Sequence, residues 1–242
     1  DYYCMFSYSD IKNIPIFNKV EINKNNYDIN NSIFEDKCYF RHTYMFAYCY
    51  HLTNENNSSL DIYAEFPGDY FYSFYNCRQL INTNNISINI NSSNYYLCKS
   101  MFSGCINLST SPVLSSTILP NNCYESMFEG CASLATAPKL PGTTLSNYCY
   151  QYMFKYCTNL TSVPDLPATT LTEQCYESMF EGCTSLETAP NLSATKLAYS
   201  CCGNMFSGCT SLKTPPILPA LETYHLCYGS MFSGCTSLIT AP

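Results

Sequence analysis

The sequence predicts an α/β repeat solenoid, a right-handed array of short parallel strands and short helices. Three observations carry this. First, Met-Phe-x-x-Cys-x-x-Leu recurs at Met101, Met127, Met153, Met179, Met205 and Met231, always 26 residues apart. A fixed period of that size marks units that stack because none buries its own apolar face. Second, each unit opens with an apolar stripe at four-residue spacing. Third, each stripe is followed by a Leu- and Pro-punctuated segment with extended character.

The stripe is seen in Cys123, Met127 and Cys131, with Tyr124 and Phe128 beside it. Spacing i, i+4, i+8 places such residues on one helical face. Asn121 and Asn122, or Ser146 and Thr172 in later units, suit an N-cap. Gly130, with Gly104, Gly182, Gly208 and Gly234 elsewhere, suits a left-handed stop. Cys-Tyr-x-x-Met-Phe-x-Gly is thus expected to be a helix of about two turns.

The following stretch, Leu134 to Leu140, contains Pro138, and its counterparts Pro112, Pro164, Pro190 and Pro216 exclude a long helix there. A short strand starting at Leu134 is expected, stacked on its copies at ~4.8 Å and ending near the donorless Pro. The segment then crosses back, with Leu140 and Leu145 facing the core. The expected spine is Phe102, Phe128, Phe154, Phe180, Phe206 and Phe232 with Cys105, Cys131, Cys157, Cys183, Cys209 and Cys235. Cutting Phe154 to Ala should cost ~3–5 kcal/mol.

Nine copies are legible, six of them sharp. Residues 1–96 hold degenerate copies with insertions, around Met5, Met45 and Ser73; residues 97–242 hold the regular array. The chain starts close to a repeat core and stops inside a unit at Thr240-Ala241-Pro242, so a fragment of a longer protein is expected.

Composition narrows the function. The net charge is −7 and only 12% of residues are charged. No basic run exists, so the chain is ill-equipped to displace counterions from nucleic acid or to hold an anionic membrane surface. It has 23 Tyr and no Trp. Asn-rich stretches at 18–33 and 82–96 read either as drift within degenerate repeats or as a ligand surface. Sequons occur at Asn57, Asn91 and Asn159 and matter only in a glycosylating host.

The 17 cysteines admit two readings. In one, each unit closes its own bridge, as in Cys123–Cys131 or Cys149–Cys157; in the other, both positions are small buried hydrophobes forming thiol ladders. Cys49 and Cys77 lack a first-position partner. On a helix, eight residues also separate Cα atoms by ~12 Å at 1.5 Å per residue, beyond the ~7 Å limit for a bridge. Thiol ladders are therefore expected. No Cys-x-x-Cys pair or His ligand spacing suggests zinc; His42, His51 and His225 are scattered, and His225 falls at a variable, exposed position. Neither metal nor cofactor is expected. No nucleophile elbow or phosphate loop appears, and nothing pairs Asp165, Glu173, Glu177 or Glu187 as acid and base, so no enzymatic activity is expected.

The informative positions vary within a constant frame. After the core Leu come Ser109, Ala135, Thr161, Glu187, Lys213 and Ile239. Next comes a hydroxyl at Thr110, Thr136, Ser162, Thr188, Thr214 and Thr240, either a solvated β-forming filler or a ladder for a polar ligand. After the Pro come Val113, Lys139, Asp165, Asn191 and Ile217. If all point outward they form three parallel rows, and the mixed rows are the candidate contact surface.

Met127-Phe128-x-x-Cys131-x-x-Leu134, an extended segment, Pro and a further Leu resemble the BspA-like, or Treponema-type, leucine-rich repeats, whose core is Ala-Phe-x-x-Cys-x-x-Leu with a usually shorter period. Here Met replaces Ala, and Cys123 stands where an aliphatic residue is common. The resemblance is close over 97–242 and weak over 1–96. It implies a secreted or surface-displayed protein that adheres to matrix, cells or glycans, so a protein or glycan partner is expected, with no nucleic acid and no membrane insertion by this segment. Similar arrays occur in phage fibres, so the alternative is a structural spacer or receptor-binding segment of a fibre or appendage.

Overall fold

The computed structural model describes residues 44–52, 60–64, 70–83, 85–90 and 93–240. The expected first copy at Met5 and the sequons at Asn57 and Asn91 lie outside them. Successive units lie side by side, and each is bonded to its neighbours along several lines.

One line is formed by the strands β1 (Leu60–Ala64), β2 (Ile86–Ile90) and β3 (Val113–Leu114), which pair in parallel in the order β1-β2-β3. Ile88 pairs with Leu114, and the same column continues as the isolated parallel bridge Leu166–Leu192. A second line joins β4 (Ile118–Leu119) to β5 (Thr144–Leu145) and continues at Thr170–Lys196. A third consists of single bridges, Thr136–Ser162 and Thr188–Thr214. The ladder begins two residues after Leu134 and is a bridge long, because the following Pro has no N–H to extend it. Leu140 and Leu145 are buried, as expected.

The helices do not form: among the described residues there is no α-helix, and Cys123 to Cys131 is a ribbon of consecutive turns. Every fourth residue is left-handed: Asn122, Ser126 and Gly130 have φ of 57°, 54° and 72°, and Gln174, Ser178 and Gly182 have 51°, 52° and 73°. That conformation interrupts a right-handed helix each time it recurs. Met127, Glu129 and Cys131 donate their N–H three residues back, to Tyr124, Ser126 and Phe128 at 3.0–3.2 Å. The alternate N–H groups leave the unit altogether. Ser126, Phe128 and Gly130 donate to the carbonyls of Gln151, Met153 and Lys155 in the next unit at 2.8–2.9 Å. The same pattern runs from Phe46 donating to Ser73 through to Gly208 donating to Ser233. The expected helix cap is therefore absent: Asn122 is itself left-handed, and its side-chain amide donates to the Glu125 carboxylate at 2.8 Å.

The ribbon explains the spine. A four-residue repeat buries two neighbours and presents two, so Cys, Tyr, Met and Phe turn inward. Phe46, Phe74, Phe102, Phe128, Phe154, Phe180, Phe206 and Phe232 form one stack, with ring centroids 5.1–5.8 Å apart and near-parallel planes. Tyr124, Tyr150 and Tyr176 form a second, buried stack at 6.0–6.1 Å. Of the expected spine, Phe102 to Phe206 and Cys105 to Cys209 are fully buried; Phe232 and Cys235 are half-buried in the last described unit.

All 15 described cysteines are free thiols. With no helix present, the two cysteines of a unit are not held ~12 Å apart by helical rise; the second-position thiols are engaged instead in hydrogen bonds between units. Cys131 donates its thiol to the Phe102 carbonyl at 3.2 Å, and Cys77, Cys105, Cys157, Cys183, Cys209 and Cys235 repeat this to the Phe of the preceding unit at 3.0–3.1 Å. Each such carbonyl also takes the N–H that closes its own turn, as Phe128 does from Cys131. The second-position Cys is thus a staple between units.

Candidate functional site: exposed rows and a tyrosine-walled groove

All three variable rows lie on the surface. Ser109, Ala135, Thr161, Glu187 and Lys213 are exposed, as are Val113, Lys139, Asp165, Asn191 and Ile217 and the hydroxyl row between them. The parallel bridges hold the rows in register, and the stack brings neighbours within a row together. Lys213 and Glu187 form an ion pair at 3.0 Å, with both side chains about 60% exposed. Asn191 donates its amide and its backbone N–H to Asp165 at 2.9 and 3.2 Å. The Ser109 and Thr161 hydroxyls donate to the carbonyls of Ile81 and Ala135. His225 is exposed and stacks on Tyr199 at 5.8 Å. Among the described residues no group of three His, Cys, Asp or Glu is placed to hold a metal ion, and no helix is long and apolar enough to cross a membrane.

The outer edge of the turn ribbon carries a second feature, hidden from the sequence by the expectation of a helix. A groove of about 490 Å³ crosses four units. Its floor holds Ser100, Gly104, Ser126 and Gly130, and its flanks are Tyr72 and Tyr75 on one side and Tyr152 and Tyr156 on the other. The walls are braced. Tyr72 stacks on Tyr44 at 5.0 Å and meets Tyr75 edge-on at 4.9 Å. The Lys155 ammonium lies 5.1 Å from the ring centres of both Tyr152 and Tyr156 and pairs with Glu181 at 3.0 Å. Lys99 pairs with Glu125 at 2.8 Å. Burial, then the Glu177 carboxylate, pushes the Tyr152 phenol up, so it stays a neutral hydroxyl. A readable signal existed: the position before Met (Ser73 in the first of these units) is Tyr72 and Tyr152 in the flanking units and Ser100 and Ser126 in the two units between them.

Stacked units with a Phe–Cys–Leu spine, parallel ladders and exposed variable rows define a leucine-rich-repeat solenoid. The family model of the BspA-type leucine-rich repeat region matches residues 70–213 and 150–241, in six copies, and the chain belongs to that family. No curated protein and no solved structure gives a match. Membership makes this a repeat protein of the protein-binding or adhesive kind.

Proposed function

We propose that this chain is an extracellular or cell-surface adhesion module that recognises a protein or glycan on another cell, a matrix or a host surface, and that it is not an enzyme. The observation that carries the reading is the set of exposed rows, variable in chemistry and fixed in register by the stack. Repeat arrays bind through such extended faces. Its surface carboxylates at Asp165 and Glu187 are engaged along the stack rather than set opposite each other as an acid and a base.

One observation favours a second reading, a passive spacer or fibre segment. Glu187 with Lys213, and Asp165 with Asn191, satisfy one another within the chain. A charge-swapped pair separates the two. Glu187→Lys with Lys213→Glu keeps the ion pair, and an exposed pair of this kind contributes at most about 1 kcal/mol, so folding is unchanged. Beads coated with the chain are scored for retention on extracellular-matrix proteins and on cultured epithelial cells. Adhesion predicts a several-fold loss of retention in the swapped variant; the spacer predicts none.

A further inference from the structure

We propose that the groove between Tyr72 and Tyr152 binds a neutral saccharide, one or two sugar rings of a glycan. This rests on the recognition reading above and gives it a ligand class and a place away from the rows.

Space comes first. The left-handed residues of the floor units that line the groove are Ser100, Gly104, Ser126 and Gly130, whereas the flanking units present Tyr72, Tyr152 and Tyr156. Walls three units apart stand ~14 Å from backbone to backbone at ~4.8 Å per unit. The groove is open to solvent, and its volume of about 490 Å³ lies in the ordinary range for small-ligand sites.

The floor also holds unused hydroxyls. Ser100, Ser103 and Ser126 are only 4%, 7% and 7% exposed and line the groove, and their side chains have no hydrogen-bond partner among the described residues. These hydroxyls open on the groove, and hydroxyls that both donate and accept match the hydroxyls of a sugar. The tyrosine walls add apolar faces with a polar tip, suited to a ring that is apolar above and below and polar around its rim.

Charge selects a neutral ligand. Both lysines of the groove are already held by carboxylates, Lys99 by Glu125 and Lys155 by Glu181. An anion would have to compete with those carboxylates. Glu129 lines the groove with no ion pair among the described residues and accepts hydrogen bonds from hydroxyls. An extended peptide is disfavoured because the ribbon offers it no free edge: Ser100, Ser126 and Gly130 donate their N–H along the stack.

The test is saturation-transfer NMR on the whole 242-residue chain with cellotriose, maltotriose, mannotriose and N-acetylchitotriose, and with a heparin tetrasaccharide and an extended Ala-Ser peptide as contrasts. Saturation of ring protons is expected for at least one neutral trisaccharide. Tyr72→Asn with Tyr152→Asn should weaken that binding at least tenfold. Asn suits both positions, because Asn204 holds the equivalent left-handed backbone at φ 54°. Ser103→Ala, which removes a hydroxyl without touching a left-handed residue, should weaken it several-fold with the melting transition unchanged. The proposal is overturned if no neutral trisaccharide is saturated, if heparin or the peptide binds in preference, or if the Ser103→Ala and double-Asn variants bind as the parent does. The row swap, scored separately by bead retention, decides the wider recognition reading, so the groove can fail while that reading stands.

Discussion

At the scale of single residues, the two cysteines of a unit do different jobs although both are buried. Cys157 donates its thiol to the Phe128 carbonyl at 3.1 Å, across the boundary between units. For Cys149, as buried, the structure shows no such thiol donation. Removing sulfur from either deletes the same volume, so the difference isolates the staple. Cys157→Ala should destabilise more than Cys149→Ala by about 0.5–1.5 kcal/mol, the net worth of a buried hydrogen bond. Urea unfolding under reducing conditions measures this, and equal costs would mean the thiol only fills space.

The turn ribbon sets its own demands at the scale of the element. Its last left-handed position is Gly in most units and Tyr48, Asn76 or Tyr156 in three, and Asn76 and Tyr156 each precede a unit with Gly there. Those larger side chains lean over the glycine of the next unit: a Cβ on Gly104 would strike Asn76, and one on Gly182 would strike the Tyr156 ring. At Gly208 a Cβ would meet only the Gly182 backbone, at an ordinary 3.7 Å. Both glycines have positive φ, so Ala carries a backbone cost of about 1–2 kcal/mol at either. Gly182→Ala should cost more than Gly208→Ala, and the excess should vanish in a Tyr156→Gly background, where the preceding unit carries Gly as it does before Gly208. Thermal melts of the four combinations check this; an excess that survives the loss of the ring would place the strain elsewhere.

Across the whole molecule, burial raises many of the thiols, whereas the neighbouring Cys202 lowers Cys201. Burial pushes Cys105, Cys175 and Cys209 up to about 12 from an ordinary value of 9.0. Between those values the unfolded chain releases protons that the folded chain retains, so the folded state binds more protons. Stability is then fully present below about pH 9 and falls as pH rises towards 12, by ~1.4 kcal/mol per group for each unit of pKa difference. The midpoint of urea unfolding should drop steadily between pH 8.5 and 10.5 in the presence of reductant. A flat profile would show that the ladder thiols reach water in the native state.

The sequence by itself determined the period, the stacked architecture, the buried Phe–Cys–Leu spine and the outward rows, because each follows from which residues recur and from the need of every unit for a neighbour. It did not determine the conformation of Cys123 to Cys131. A four-residue apolar stripe fits a helix and a ribbon of turns equally well, and the choice fell to hydrogen bonding between units. In a helix, the N–H groups of Ser126, Phe128 and Gly130 would close on their own segment; here they reach Gln151, Met153 and Lys155, and the backbone itself joins the units. That choice alone puts Tyr72 and Tyr152 on opposite sides of a serine-floored groove, because only lateral pairing sets residues 80 positions apart along the chain beside the same two intervening units.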